Sequence, residues 1–285
     1  MVQEGNLMFK LLFRVLVFGM VAIGLFVYLR SPQERPQPNL PKREPQQATQ
    51  ASGPQASFSP NHPRDFNEAK SILRKIYAKG QEFYCGCRYD LSAKKRIDAS
   101  SCGYKGQGVR SQRIEWEHVV PASIFGRRFS EWTQGHPSCM RNGHMEKGRN
   151  CARSTSGVFS RMEGDLYNLL PTLGELNGAR SNYAYGEIKG ETREFGACDF
   201  EVTGKQAEPR LAIRGDLARI YFYMDARYTG FEIVNRQNEG LLTAWNRDDP
   251  IDEAERQRLQ QIESVQGNSF FIGRLHRLAS IAHSQ

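Results

Sequence analysis

Five side chains in this chain could act together on a phosphodiester. Glu117 and His118 are adjacent in the string EWEHVVPAS. Hydrolysing a phosphodiester needs a base for water and positive charge on the phosphate as negative charge develops. A neutral imidazole has the pKa range for the base, and the carboxylate beside it can hold a hard divalent cation. Asn177, in GELNGARSNY, offers a neutral amide oxygen suited to Mg²⁺ or Ca²⁺. Arg149, in KGRNC, can grip a phosphate with two hydrogen bonds. Glu163, in RMEGDLYNL, fits a ligand, an orienting group or a helix surface acid. Each has a plainer reading when taken alone: a structural histidine, a helix-end asparagine before Gly178, a solvated loop arginine. A strand raises a further difficulty, because neighbours on it point to opposite faces. Glu117 and His118 can serve one phosphate only if the strand ends or bends there, and Pro121 allows that.

A second constellation competes. His136, Cys139, His144 and Cys151 are spaced H-x2-C-x4-H-x6-C, which fits a tetrahedral Zn²⁺ site. The competing reading is a Cys139–Cys151 disulfide with exposed histidines, and the export-type N-terminus favours it. Cys85 and Cys87 stand too close in sequence to bond each other and are expected to bridge elsewhere. Six cysteines behind an export-type N-terminus point to an oxidising compartment.

These residues need elements to carry them. Phe66, Ala69, Ile72, Leu73 and Ile76 form one helical face, and the helix should end near Gly80. Arg113 to Val120 reads as a strand stopped by Pro121. Residues 126–157, dense in Gly, Arg, Asn and Ser, read as a long loop. Asp165 to Asn177 reads as one or two short helical pieces around Pro171. Leu211 to Tyr228 reads as a helix with Leu217, Ile220, Tyr221 and Met224 inside and Arg214, Arg219 and Arg227 outside. Further helices are expected over 236–247 and 250–266, the second ending at Gly267. Helices around a few short strands make a mixed α+β domain.

In front of that domain, Val15 to Leu29 is an uninterrupted apolar run behind Lys10 and Arg14. No small-residue cleavage pattern follows Leu29. An uncleaved signal anchor over residues 1–30 is therefore expected in preference to a cleaved signal peptide. Residues 31–62 are rich in Pro, Gln and Ser and read as a flexible linker. The domain is then residues 63–285. The formal net charge is +8, and residues 1–62 hold six basic and three acidic side chains, which leaves +5 on the domain. That suits a polyanionic partner, although a soluble basic surface has the same charge.

Taken together, the segments FYCGCRYD (83–90), SCGY (101–104), RIEWEHVVPA (113–122), GRNCA (148–152), MEGDLYNLLPTLGELNGARSNY (162–183), RGDLARIYFYM (214–224), AWN (244–246) and VQGNSF (265–270) resemble the endonuclease I family of bacterial periplasmic and secreted nucleases. The resemblance implies a ββα-metal (His-metal finger) site. In it Glu117 and Asn177 hold one Mg²⁺, with Ca²⁺ or Mn²⁺ as substitutes, and His118 is the general base. Arg149 corresponds to the phosphate-contacting arginine and Glu163 to a further acid near the metal. It implies cleavage of DNA and RNA through backbone contacts, with little sequence preference and 5′-phosphate products, by a monomer working outside the cytoplasm. It also suggests pairing of Cys139 with Cys151, and of Cys85 and Cys87 with Cys102 and Cys198 in either order. The chain departs from the family in lacking two C-terminal cysteines, in a longer Ser130–Met145 loop, and in its N-terminal anchor and tether. The competing functions are an inactive, membrane-tethered DNA-binding module and a zinc-stabilised structural domain.

Overall fold

Asp65 starts the first helix by accepting hydrogen bonds from the backbone N–H groups of Asn67 and Glu68 at 2.8 and 2.9 Å. The computed structural model describes residues 55–272 except Lys95 and Glu191. Strand β1 (Gln55–Ala56) precedes helix α1 (Phe66–Ile76), which buries Ala69 and Leu73. Strands β2 (Lys79–Gln81), β3 (Arg88–Asp90) and β4 (Ile97–Asp98) form a small antiparallel sheet.

Strand β5 (Ile114–His118) carries Glu117 and His118, and helix α2 (Ala122–Gly126) follows Pro121. The stretch read as a long loop is structured. It holds helix α3 (Ser130–Thr133), the hairpin β6 (Met140–Arg141) and β7 (His144–Met145), and helix α4 (Arg149–Thr155), and helix α5 (Gly157–Glu163) starts at its end. Short polar elements carry little hydrophobic periodicity, so their order rests on cross-linking and on packing of Trp132 against Phe159.

Strand β8 (Leu169–Leu173) replaces the helical pieces expected around Pro171 and pairs antiparallel with β5, Glu117 opposite Leu170 and His118 opposite Leu169. Pro171 fits because its carbonyl faces away from β5 and accepts from Phe83 N–H at 2.8 Å. The proline nitrogen shares that side, so its missing donor costs the β5 ladder nothing. Helix α6 (Gly174–Arg180) follows at once. The site elements are thus strand, strand, helix, with 50 residues inserted between the strands.

Strands β9 (Ala184–Tyr185), β10 (Phe200–Thr203) and β11 (Gln206–Pro209) form a third sheet. Helix α7 (Arg214–Arg227) runs through the core, followed by β12 (Tyr228–Thr229), α8 (Glu239–Asp248) and α9 (Glu253–Gln266). Gly267 closes α9 in the left-handed region at φ 77°. The mixed α+β class is as the sequence implies. Arg219, expected outside, is buried, because α9 packs over it and Glu255 accepts from its Nε and Nη2 at 2.9 and 2.5 Å.

Residues 55–62, read as the end of the linker, pack on the domain. β1 pairs with β12, and His62 is buried with its Nε2 3.6 Å from Asp165. The rest of the linker and the apolar run of residues 8–30 lie outside the described residues. No described helix is long and apolar enough to cross a membrane.

All six cysteines pair, as Cys85–Cys198, Cys87–Cys102 and Cys139–Cys151. That removes the zinc alternative, since two of its four ligands are disulfide sulfurs, and His136 Nδ1 is occupied by the Ser138 N–H at 3.1 Å.

Candidate active site

His118 ends its strand, where Asn168 takes over the pairing. Asn168 accepts from Val119 N–H through its carbonyl and from Val120 N–H through its side chain at 2.7 Å, and it returns Nδ2–H to Val120 O. The turn into Pro121 resolves the two-face difficulty: Glu117 and His118 both line one cavity of about 450 Å³. Arg149 and Asn177 line it too.

The imidazole is 8% exposed and packs against Phe66 at 4.9 Å. Its Nε2 lies 2.9 Å from the Glu163 carbonyl, an acceptor, so Nε2 carries the proton and Nδ1 keeps its lone pair. Arg149 Nη2 donates towards Nδ1 at 3.4 Å. Burial, and then the Arg149 charge, push the imidazole down to about 3, so it is neutral at neutral pH.

Glu163 is not in the cavity wall. Its carboxylate is fully buried and accepts from Arg149 Nε and from Arg153 Nε and Nη2, both of the latter at 2.6 Å. Against the cost of burial, Arg153 and Arg149 hold it below the ordinary carboxylate range. Glu163 thus fixes Arg149 with its side chain and His118 with its backbone.

Glu117 is 1% exposed. Its Oε1 accepts from Tyr84 Oη at 2.8 Å and from Arg180 Nη1 at 2.7 Å. Burial pushes this carboxyl up, and Arg180 opposes it. Arg180, also 1% exposed, donates to the backbone carbonyls of His118 and Val119 at 2.8 and 2.6 Å. Its guanidinium lies 4.4 Å over the Tyr185 ring. One buried cation therefore fixes the carboxylate and the backbone beyond the imidazole. Sequence reading missed Arg180. An arginine in the last turn of a helix looks like an ordinary dipole partner, and only its spacing, three residues after Asn177, hinted otherwise.

Asn177 donates its Nδ2–H to Glu115 Oε2 at 3.0 Å, which makes the amide oxygen the end turned from Glu115. One carboxylate and one amide oxygen on a common cavity are hard donors that fit Mg²⁺ with waters completing the shell.

All the described residues are matched by a family model described as Endonuclease I, over residues 48–272. The chain belongs to the endonuclease I family. As a family member it is a nuclease. It is 39% identical to an extracellular deoxyribonuclease of Aeromonas hydrophila over 211 residues, 72% of this chain and 85% of that one. It is 34% identical to an Endonuclease-1 of Buchnera aphidicola subsp. Acyrthosiphon pisum over 225 residues, 76% and 84% of the two chains. An extracellular ribonuclease of Bacillus subtilis is 32% identical over 131 residues, but only 39% of this chain is covered.

Proposed function

We propose that this endonuclease I family member hydrolyses DNA, and RNA as a second substrate, at phosphodiesters of any sequence, with one Mg²⁺ and His118 as general base. The observation that carries it is the orientation of His118. The Glu163 carbonyl takes Nε2–H, so the Nδ1 lone pair faces a cavity shared with Arg149, Glu117 and Asn177.

In this reading Arg149 leaves Nδ1 to grip the scissile phosphate, while Glu163 keeps its Nε in place. Nδ1 then accepts a proton from the water that attacks phosphorus in line. Glu117 and Asn177 are the protein ligands of Mg²⁺, which when bound neutralises the developing charge and favours departure of the 3′ oxygen. Breakage on that side leaves 5′-phosphates. Contacts confined to the backbone carry no base readout, which matches a lack of sequence preference. The ribonuclease likeness supports RNA cleavage through the same site.

The strand–strand–helix unit of β5, β8 and α6 supports a ββα-metal motif, although here the two strands are far apart in sequence. Relatives named as extracellular and periplasmic deoxyribonucleases support work outside the cytoplasm, as do three disulfides. Residues 1–30 would then direct export.

Purified protein should nick supercoiled plasmid in Mg²⁺ and stop on addition of EDTA, and ligation by a 5′-phosphate-dependent ligase should succeed without kinase treatment. Nicking that survives EDTA would refute the metal, and ends that need a kinase would refute the direction of bond breakage.

A further inference from the structure

The cavity that His118 lines is also lined by an arginine that the mechanism above leaves unused. Arg110 sits in the short 3₁₀ turn Val109–Gln112. Glu115, on β5, accepts from its Nε at 3.1 Å and from its Nη2 at 2.6 Å. Its remaining nitrogen, Nη1, lies over Gly178 of α6, where a Cβ would come within 2.3 Å of it. The absence of a side chain at Gly178 is what lets the guanidinium lie along the cavity wall. The turn itself is tied down, because Gln107 N–H donates to both oxygens of Glu175 at 3.1 Å and Tyr104 Oη donates to the same carboxylate.

Arg110 therefore repeats the arrangement of Arg149. Each has its Nε held by a carboxylate, and each lines the same cavity from a different element. A guanidinium already fixed loses little entropy when it binds, and it keeps donors aimed in one direction. Its charge is not cancelled locally, since Arg113 shares Glu115 with its Nε at 2.7 Å. Two cations thus face one carboxylate. A nucleic-acid strand carries a phosphate at every nucleotide, so a strand with its scissile phosphate on Arg149 brings another to the neighbouring wall.

We infer that Arg110 is a second phosphate-binding residue of the cleft, gripping a backbone phosphate next to the scissile one. Glu115 is its positioning residue, and the same carboxylate orients Asn177. The inference rests on the nuclease reading above and assigns that site a strand-length substrate.

The test is binding of a short fluorescent DNA duplex in EDTA, followed by anisotropy across a range of salt, beside nicking kinetics in Mg²⁺. Arg110→Ala should weaken binding about ten-fold and flatten the log–log salt slope by about one. The rise should fall on KM, with kcat within a few-fold of the parent. Arg110→Lys keeps the charge but loses the fork, and should fall between. Arg247→Ala, at an exposed arginine paired with Asp248, should change neither affinity nor slope. Melting temperatures identify any variant that fails to fold, and Arg110→Gln then takes the place of the alanine. Unchanged affinity and slope in Arg110→Ala, or an equal change in Arg247→Ala, overturns the proposal. Should His118→Ala nick at the parent rate, the nuclease mechanism beneath it fails instead.

Discussion

Replacing His118 by alanine is expected to lower kcat for plasmid nicking by about 10²–10⁴-fold, the range for a lost general base, while DNA affinity in EDTA stays within a few-fold. The imidazole touches the protein through Nε2 and the Phe66 face, and its Nδ1, 3.4 Å from Arg149 Nη2, keeps a lone pair, so removal takes away a proton acceptor and little phosphate contact. The vacated space should admit exogenous imidazole, and added imidazole should restore part of the rate. A purely structural histidine would behave otherwise: its loss would lower the melting temperature and leave kcat of the folded fraction intact. Arg149→Ala is a useful contrast, since Arg149 both faces the base and is expected to hold phosphate; there KM and kcat should worsen together.

Arg180→Met should have the largest effect on the folded state. Breaking a buried ion pair from one side costs about 3–5 kcal/mol, because the partner is left charged and unsolvated. Here that partner is Glu117, which already sits in surroundings that push its carboxyl up. Without Arg180 the upward push of burial loses its main opponent and the carboxyl should hold its proton more tightly, and a protonated carboxyl is a poor metal ligand. The variant is expected to unfold at markedly lower urea concentration and to need more Mg²⁺ for half-maximal nicking. Adding Glu117→Gln to Arg180→Met should recover part of the lost stability and none of the activity. Equal urea midpoints for Arg180→Met and the parent would mean that the pair contributes nothing.

The sequence was most legible where one element makes its own pattern. Helix α1 follows from five apolar residues at helical spacing, and β5 from a branched and aromatic run. Strand β8 was hidden because Pro171 argues against a strand, and only the tertiary arrangement shows that its nitrogen faces away from β5. Residues 126–157 carry no apolar period, since their order comes from a disulfide and aromatic contacts that are non-local. Arg219 looked like the outer face of α7 because nothing near it in sequence announces that α9 will supply Glu255.

The site was legible in its residue types and less so in its roles. Glu117, His118, Arg149 and Asn177 do meet on one cavity. Of the three readings open to Glu163, its buried carboxylate, bonded to Arg149 and Arg153, fits the orienting group best. Arg180, Arg110 and Glu115 escaped notice because a charged residue looks solvated until its partner is known. Adjacent residues in strand and turn can be read from spacing, whereas long-range pairs such as Arg180 with Glu117 cannot.

The proposed chemistry depends on one divalent cation held by Glu117 and Asn177 beside His118. Calorimetric titration with Mn²⁺ of the parent, Glu117→Gln, Asn177→Leu and His118→Ala reads it without any catalysis. One site per chain is expected in the parent, about ten-fold or more weaker in both ligand variants, and retained in His118→Ala. Undiminished one-site binding in either ligand variant would contradict it.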